Sequence, residues 1–335
     1  MSGTRGAMRF LKSERVRVSP YFLGTLIGFA LAPLFLRGGG ADGWSSLLAS
    51  WRAGTVVPAW IYLVLSPLTL LPFWPCPLRW IVLILLTLIL IRFAVWAWGT
   101  KRWWIPVFSM PVFWNFWLAQ DEFAHVFGAA AGWLVVQKKL HPAFWGLAGL
   151  MLITKVQVGW GLAVLFTFWI WREQGIKALL WAAGVAAGIV GITLIAYPGW
   201  FPAWRQVSNG LWDLYIAGKH AYSNPVFIPL GGIAWLAAVI PVKMERPRRA
   251  RMVAAATLLG SPYFLPYHCL TLMTMVRSRI VYWVAWLPII PLFFGETTRW
   301  AWFIPCAVLL VELWELYQIR RQSVNTTLSA DGATT

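Results

Sequence analysis

Four aspartates occur in a chain of 335 residues, and one of them, Asp42, comes just after the first apolar stretch, in the run ADGW. A carboxylate beside a hydrophobic segment is costly to keep unless something depends on it. It is also the group that takes a proton from an alcohol. The plainer alternative leaves Asp42 solvated beside Arg52. A second polar island is Gln120-Asp121-Glu122, at the head of the run QDEFAHVFG. Acidic side chains suit a helix start through capping and the helix dipole; alternatively, Gln120 or Asp121 holds the hydroxyls of a polar ligand. His125, one turn further on, reads as a hydrogen-bonded histidine facing other helices.

Two more interruptions stand out. In GLMLITKVQVGW, Lys155 and Gln157 break an apolar run. The ammonium can snorkel to headgroups, or hold a phosphate where helix ends expose backbone N–H groups. No acidic residue is close to Lys155 in sequence, which favours a phosphate. In LLGSPYFLPYHCL, Pro262 and Pro266 must break a helix and free backbone polar groups. His268 then bonds a freed carbonyl, or joins Tyr267 at an elbow that contacts sugar or pyrophosphate. Between these runs, YPGWFPAWRQVSNGLWDLYIAGKHAYSNPVF reads as a long aromatic loop. Its Trp200, Trp204 and Trp212 can lie on a membrane or stack on a sugar face.

The elements that must position these residues are apolar. The chain is 60% hydrophobic and only 12% charged, with mean hydropathy +0.67, where soluble domains carry roughly 25% charge. Apolar runs recur at 20–36, 57–73, 80–98, 104–119, 123–137, 141–154, 157–171, 177–197, 226–242, 252–276, 280–294 and 300–317. The expectation is an all-α, polytopic transmembrane bundle of about 10–12 spans, some broken or re-entrant. It is preceded by a basic cytoplasmic segment (1–19) and followed by a polar, disordered tail (318–335). The single membrane domain then covers 20–317. A β-barrel would show weak alternating segments instead. The 26 tryptophans suit membrane interfaces, an aromatic core, or both.

The net charge of +17 falls in short clusters between apolar runs, which topology and anionic lipid explain without nucleic acid. By the positive-inside rule, Lys138 and Lys139, Arg172 and Lys177, and the run KMERPRRAR mark cytoplasmic turns. The loop at Asp42, the turn at Lys155 and the stretch 200–224 then face outward. Three candidate spans between Asp42 and Gln120 give the wrong parity, so 57–73 or 104–119 stops short of crossing. Cys76, Cys269 and Cys306 lack metal-ligand spacing, and no metal or other cofactor is expected. HExxH, Walker, GxSxG and CxxC motifs are absent, which removes support for soluble nucleotide-dependent chemistry.

In order along the chain, these runs resemble glycosyltransferase family 87, integral membrane enzymes of GT-C type, typified by polyprenyl-phosphate-mannose-dependent α-1,2-mannosyltransferases. Asp42 through Gly54 is similar to the family's acidic stretch after the first helix, and 67–72 (PLTLLP) to its proline-flanked tail. Ala119-Gln120-Asp121 is similar to a Gly-Gln-Asn/Asp turn without its glycine, and GLMLITKVQ to a helix ending in Lys-Pro-Gln with Val156 for proline. Ser223-Asn224-Pro225, Ser261-Pro262 and Tyr267-His268 resemble later family motifs, over about residues 20–295 in all.

The resemblance implies inverting transfer of a sugar from a polyprenyl phosphate to a lipid or glycan acceptor, outside the cytoplasmic membrane. Asp42 would be the base, Lys155 and then His268 the phosphate contacts, and Gln120, Asp121, Gln157, Asn224 and Tyr267 the sugar or acceptor contacts. A lipid-linked-sugar flippase or another transporter, also built on broken helices, is the competing expectation.

Overall fold

The computed structural model describes residues 58–65, 78–100, 104–118, 120–217, 223–240, 244–294 and 300–332. Asp42 and the 67–72 motif lie outside these residues. Among the described residues the fold is helical, with one isolated antiparallel bridge, Ser223 to Tyr263, and no strand. The elements are α1 (Trp60–Leu65), α2 (Leu78–Trp98), α3 (Trp104–Val107), α4 (Met110–Leu118), α5 (Phe123–Val136), α6 (Ala143–Leu152), α7 (Val156–Ala196), α8 (Trp200–Ile216), α9 (Phe227–Val239), α10 (Arg246–Leu259), α11 (Leu270–Met275), α12 (Arg279–Val284) and α13 (Phe303–Gly332). Two 3₁₀ turns, Pro266–Cys269 and Leu287–Phe294, complete them. By length and composition, two helices can cross a membrane: α2, through its segment Ile81–Trp98, and α7.

Small residues set the central packing. α5 carries the run GAAAG, and a Cβ on Gly128 would fall 2.6 Å from the Ala148 carbonyl oxygen of α6. A Cβ on Gly132 would meet the rings of Trp145 and Phe166 at 2.6 and 2.8 Å. Backbone thus approaches backbone, and large rings fill the remaining space: Trp98 stacks on Trp133 with ring centres 4.7 Å apart. Many tryptophans are therefore core residues, while Trp96, Trp171, Trp181, Trp283 and Trp314 are exposed. The outer surface is apolar too, with Ile195 84%, Ile228 74% and Leu310 67% exposed.

The 41 residues of α7 are two antiparallel helices. In one straight helix Thr167 and Ala182 would lie about 22 Å apart. Yet adjacent residues of α6 touch both. Trp145 Nε1 donates to Thr167 Oγ1 at 3.1 Å, and a Cβ on Gly146 would sit 2.3 Å from the Ala182 carbonyl oxygen. The reversal is at Gly175, whose φ of 79° is left-handed and disfavours other residues. It falls between the apolar runs 157–171 and 177–197, at the turn that Arg172 and Lys177 mark.

Two corrections to the sequence reading concern secondary structure, and two expected breaks are found. The aromatic stretch expected as a loop contains the 17-residue helix α8; Pro198-Gly199 end α7, and Pro202 sits in the first turn of α8, where its missing N–H costs nothing. The tail expected to be disordered continues α13 to Gly332, because adding residues to a helix already formed is far easier than starting one. The runs 104–119 and 252–276 are each split, the first at Ser109 and the second around Pro262 and Pro266.

Helix direction separates two ends of the molecule. At one, Gln174 Nε2 donates to the Val135 carbonyl at 2.9 Å, and Arg246 pairs with Glu173 at 2.5 Å. Arg248 and Arg251 bracket Glu312 there. The three basic turns expected on one side of a membrane do meet at one end. The chain segments at 120–122 and 153–155 lie at the other, about 20 Å away along α5.

Candidate functional site

At the end remote from the basic turns, α5 begins and α6 gives way to α7. The turn between α6 and α7 is tight: a Cβ on Gly159 would sit 1.7 Å from the Leu152 carbonyl oxygen. This leaves Lys155 extended (φ −116°, ψ 92°) at the N-terminus of α7, with its side chain returned toward α5. Trp60 of α1 braces the turn, donating from Nε1 to the Leu150 carbonyl at 3.1 Å and Thr154 Oγ1 at 3.3 Å.

Lys155 Nζ lies 2.8 Å from Asp121 Oδ1 and 2.7 Å from Glu122 Oε1. It also donates to Gln120 Oε1 at 3.4 Å and stands 4.8 Å from the centre of the Tyr267 ring. The side chains of Lys155, Asp121 and Glu122 are 10%, 7% and 0% exposed. The missing acidic partner of Lys155 is therefore supplied twice, and by residues 33 and 34 positions earlier in the chain. Burial alone would disfavour both charges. Lys155 nevertheless holds the Glu122 carboxyl well below the ordinary carboxylate range. In turn the two carboxylates, against the effect of burial, hold the ammonium above the usual lysine range.

Two histidines close the cluster from opposite sides. His125 Nε2 accepts the Lys155 backbone N–H at 3.0 Å, and His268 Nδ1 accepts the Leu265 N–H at 3.0 Å. Their other nitrogens turn toward Glu122: His125 Nδ1 is 3.2 Å from Oε2, and His268 Nε2 is 3.6 Å from Oε1. The first contact is within reach but off the hydrogen-bond axis, and the second is too long, so both nitrogens and Glu122 Oε2 lack a hydrogen-bond partner. Asp121 Oδ2 and Thr271 Oγ1 are likewise buried without one. Beside the rings is a cavity of about 10 Å³, lined by His125, His268, Thr271, Leu152, Leu162 and Leu258 among others; that is room for one water.

The elbow that delivers His268 is built by Asn224. Its amide donates to the Leu259 carbonyl at 3.1 Å and the Ser261 carbonyl at 2.9 Å, and its backbone N–H donates to Pro262 O at 2.7 Å. The carbonyls released at the proline break are thus satisfied by a side chain 35 residues away.

Of the residues singled out in the sequence, Gln120, Asp121, Lys155, Tyr267 and His268 come together here. Asn224 lies in the elbow with both amide hydrogens engaged, and Gln157 is half-buried in the first turn of α7. His125 is the hydrogen-bonded, helix-facing histidine expected. Glu122, assigned a capping role, makes no side-chain cap and sits at the centre of the cluster instead. Asn115 was missed. It is 1% exposed, neither amide atom has a partner, and its helix α4 packs on the Pro266–Cys269 turn. Its one sequence signal is an amide in an apolar helix. Among the described residues no group of three or more His, Cys, Asp or Glu is arranged to hold a metal ion.

No family of known proteins, no curated protein and no solved structure matches the chain.

Proposed function

We propose that the chain is a membrane-embedded glycosyltransferase that moves a sugar from a polyprenyl phosphate to an acceptor hydroxyl. The observation that carries this reading is the buried Asp121–Lys155–Glu122 cluster, with Asp121 Oδ2 unpartnered, at one end of a largely apolar bundle. Ionisable groups in such surroundings persist where a polar ligand or a transfer step requires them. The apolar outer surface suits lipid, and basic turns gathered at the far end suit a cytoplasmic face. The end that carries the cluster then lies away from the cytoplasm, where a lipid-linked sugar presents its headgroup.

Lys155 takes a different part from the phosphate contact that the resemblance implies. Its charge is already shared between two carboxylates, so a phosphate would have to displace one of them. A sugar hydroxyl would not: it donates to Asp121 Oδ2 while Lys155 keeps Oδ1 in place. Asp42 remains the candidate base on the sequence argument. The acceptor oxygen attacks C1 as the C1–O bond to phosphate breaks, and the acceptor proton passes to the Asp42 carboxylate. The phosphate leaves with the bonding pair, on the polyprenyl chain.

The test uses full-length protein in nanodiscs with radiolabelled polyprenyl-phosphate mannose or glucose and a panel of glycan and lipid acceptors. The expected result is transfer by the wild type, its loss in Asp42→Asn, and at least tenfold weaker donor use in Asp121→Asn. Broken helices around a buried ion cluster also suit a flippase. Movement of the lipid between leaflets without transfer would replace the enzyme reading with that one. Neither transfer nor translocation would overturn both.

A further inference from the structure

We infer that Glu122 is the positioning residue of the cluster: its one carboxylate receives the Lys155 ammonium and the N–H of two imidazoles, and so sets where all three point. The argument starts from the backbone. His125 Nε2 and His268 Nδ1 each accept a main-chain N–H at 3.0 Å, from Lys155 and Leu265. A ring nitrogen that accepts carries no proton, so each ring is a neutral imidazole with its proton on the other nitrogen. Those protons lie on His125 Nδ1 and His268 Nε2, the two atoms facing Glu122 at 3.2 and 3.6 Å. Opposite tautomers in the two rings thus converge on one acceptor. Lys155 Nζ completes the set at 2.7 Å. All three acid and imidazole side chains are 0% exposed, so bulk water does not compete for these donors.

The two neighbouring carboxylates then differ in kind. Glu122 faces three donors, the Lys155 ammonium in a hydrogen bond and two imidazole nitrogens at 3.2 and 3.6 Å, and its task is internal. Asp121 meets one, and its Oδ2 is left for something else. Both histidine contacts are looser than good hydrogen bonds, and catalytic networks often tighten only around a bound ligand. This division deepens the function proposed above, since it needs the cluster to be the ligand site. The tautomers themselves do not depend on that reading.

Glu122→Gln is the discriminating variant, because its shape is unchanged while its chemistry is not. A carboxamide has one acceptor oxygen and one NH₂ group. Facing two imidazole N–H groups, the NH₂ must oppose one of them, donor against donor. One ring has to change tautomer or turn away. Glu122→Asp keeps both acceptors but withdraws them by one methylene.

The experiment is solid-state ¹⁵N spectroscopy of histidine-labelled full-length protein in lipid. The chain has four histidines, and His141→Gln with His220→Gln removes the other two signals. In the Glu122 wild type, His125 protonated at Nδ1 and His268 at Nε2 is expected. Glu122→Gln should move at least one ring's signals, with helix content unchanged, and Glu122→Asp should largely restore them. An imidazolium or the reverse tautomer in the wild type overturns the inference, and that measurement stands even if Glu122→Gln does not fold. Unchanged spectra in Glu122→Gln overturn it too, since a packing role alone predicts them. In parallel, Glu122→Gln should bind polyprenyl-phosphate mannose at least tenfold more weakly. Altered rings with unaltered binding would keep the positioning role and remove the ligand site. Weakened binding with unaltered rings would do the reverse.

Discussion

Two buried ion clusters lie at opposite ends of this molecule, and they are finished to different degrees. At the basic end, Glu312 accepts from Arg248 Nε at 2.9 Å and from Arg251 through both carboxylate oxygens, while Arg248 Nη2 reaches Glu315 at 2.8 Å. No side-chain atom of these four residues is buried without a partner. At the other end, Asp121, Glu122, His125 and His268 each leave one buried polar atom unmatched. A saturated network locks helices together and has nothing to offer a ligand. An unsaturated one is a standing cost in stability, and such a cost is expected where a ligand completes the set.

The difference can be broken first at the saturated end. Glu312→Ala strands the buried Arg251 guanidinium and leaves Arg248 with Glu315 alone, and the expected loss is about 3–5 kcal/mol, read as a large fall in thermal unfolding temperature or failure to accumulate. At the unsaturated end, Lys155→Met leaves two buried carboxylates unpaired and should also destabilise. Adding Glu122→Gln should return part of that loss, through a coupling of about 0.5–3 kcal/mol measured in a double-mutant cycle. A cycle with no coupling would mean that Glu122 and Lys155 do not share the charge.

A milder change separates stability from binding. Asp121→Asn should weaken donor binding at least tenfold, about 1.4 kcal/mol, with a smaller effect on unfolding than Glu312→Ala. The reverse ranking would make the two ends alike. The pH dependence sharpens the same point. The Glu122 carboxyl is depressed, so its contribution is present above the ordinary glutamate range and is lost as pH falls. The Lys155 ammonium is raised, so its contribution is present below the ordinary lysine range and is lost as pH rises further. The stability gap between wild type and Glu122→Gln should therefore be flat from about pH 5 to about pH 10 and close in acid. The smallest effect belongs to Thr271, whose hydroxyl has no partner. Thr271→Val should be neutral or stabilising by up to about 1 kcal/mol in thermal unfolding; a clear loss would put an ordered water in the adjacent cavity.

Composition and spacing determined a good deal by themselves. Apolar runs set the helices, because backbone groups in apolar surroundings must bond within their own segment. Arg172 and Lys177 announced a turn, and Pro262 and Pro266 announced a break. Lys155, Asp121, Gln120, Tyr267 and His268 were legible as polar exceptions in apolar text. Helix α8 was not, because proline, glycine and asparagine in its sequence mimic a loop. Pairing was not legible either. Lys155 has no acidic neighbour along the chain, whereas Asp121 and Glu122 reach it across the α5–α6 hairpin. Glu122 reads as a cap for the same reason, and Asn224 reads as a ligand contact, whereas its amide satisfies the carbonyls of a break 35 residues later. Residue type states what a group needs. Only the packing of helices, set here by glycines that let backbones touch, decides which group supplies it.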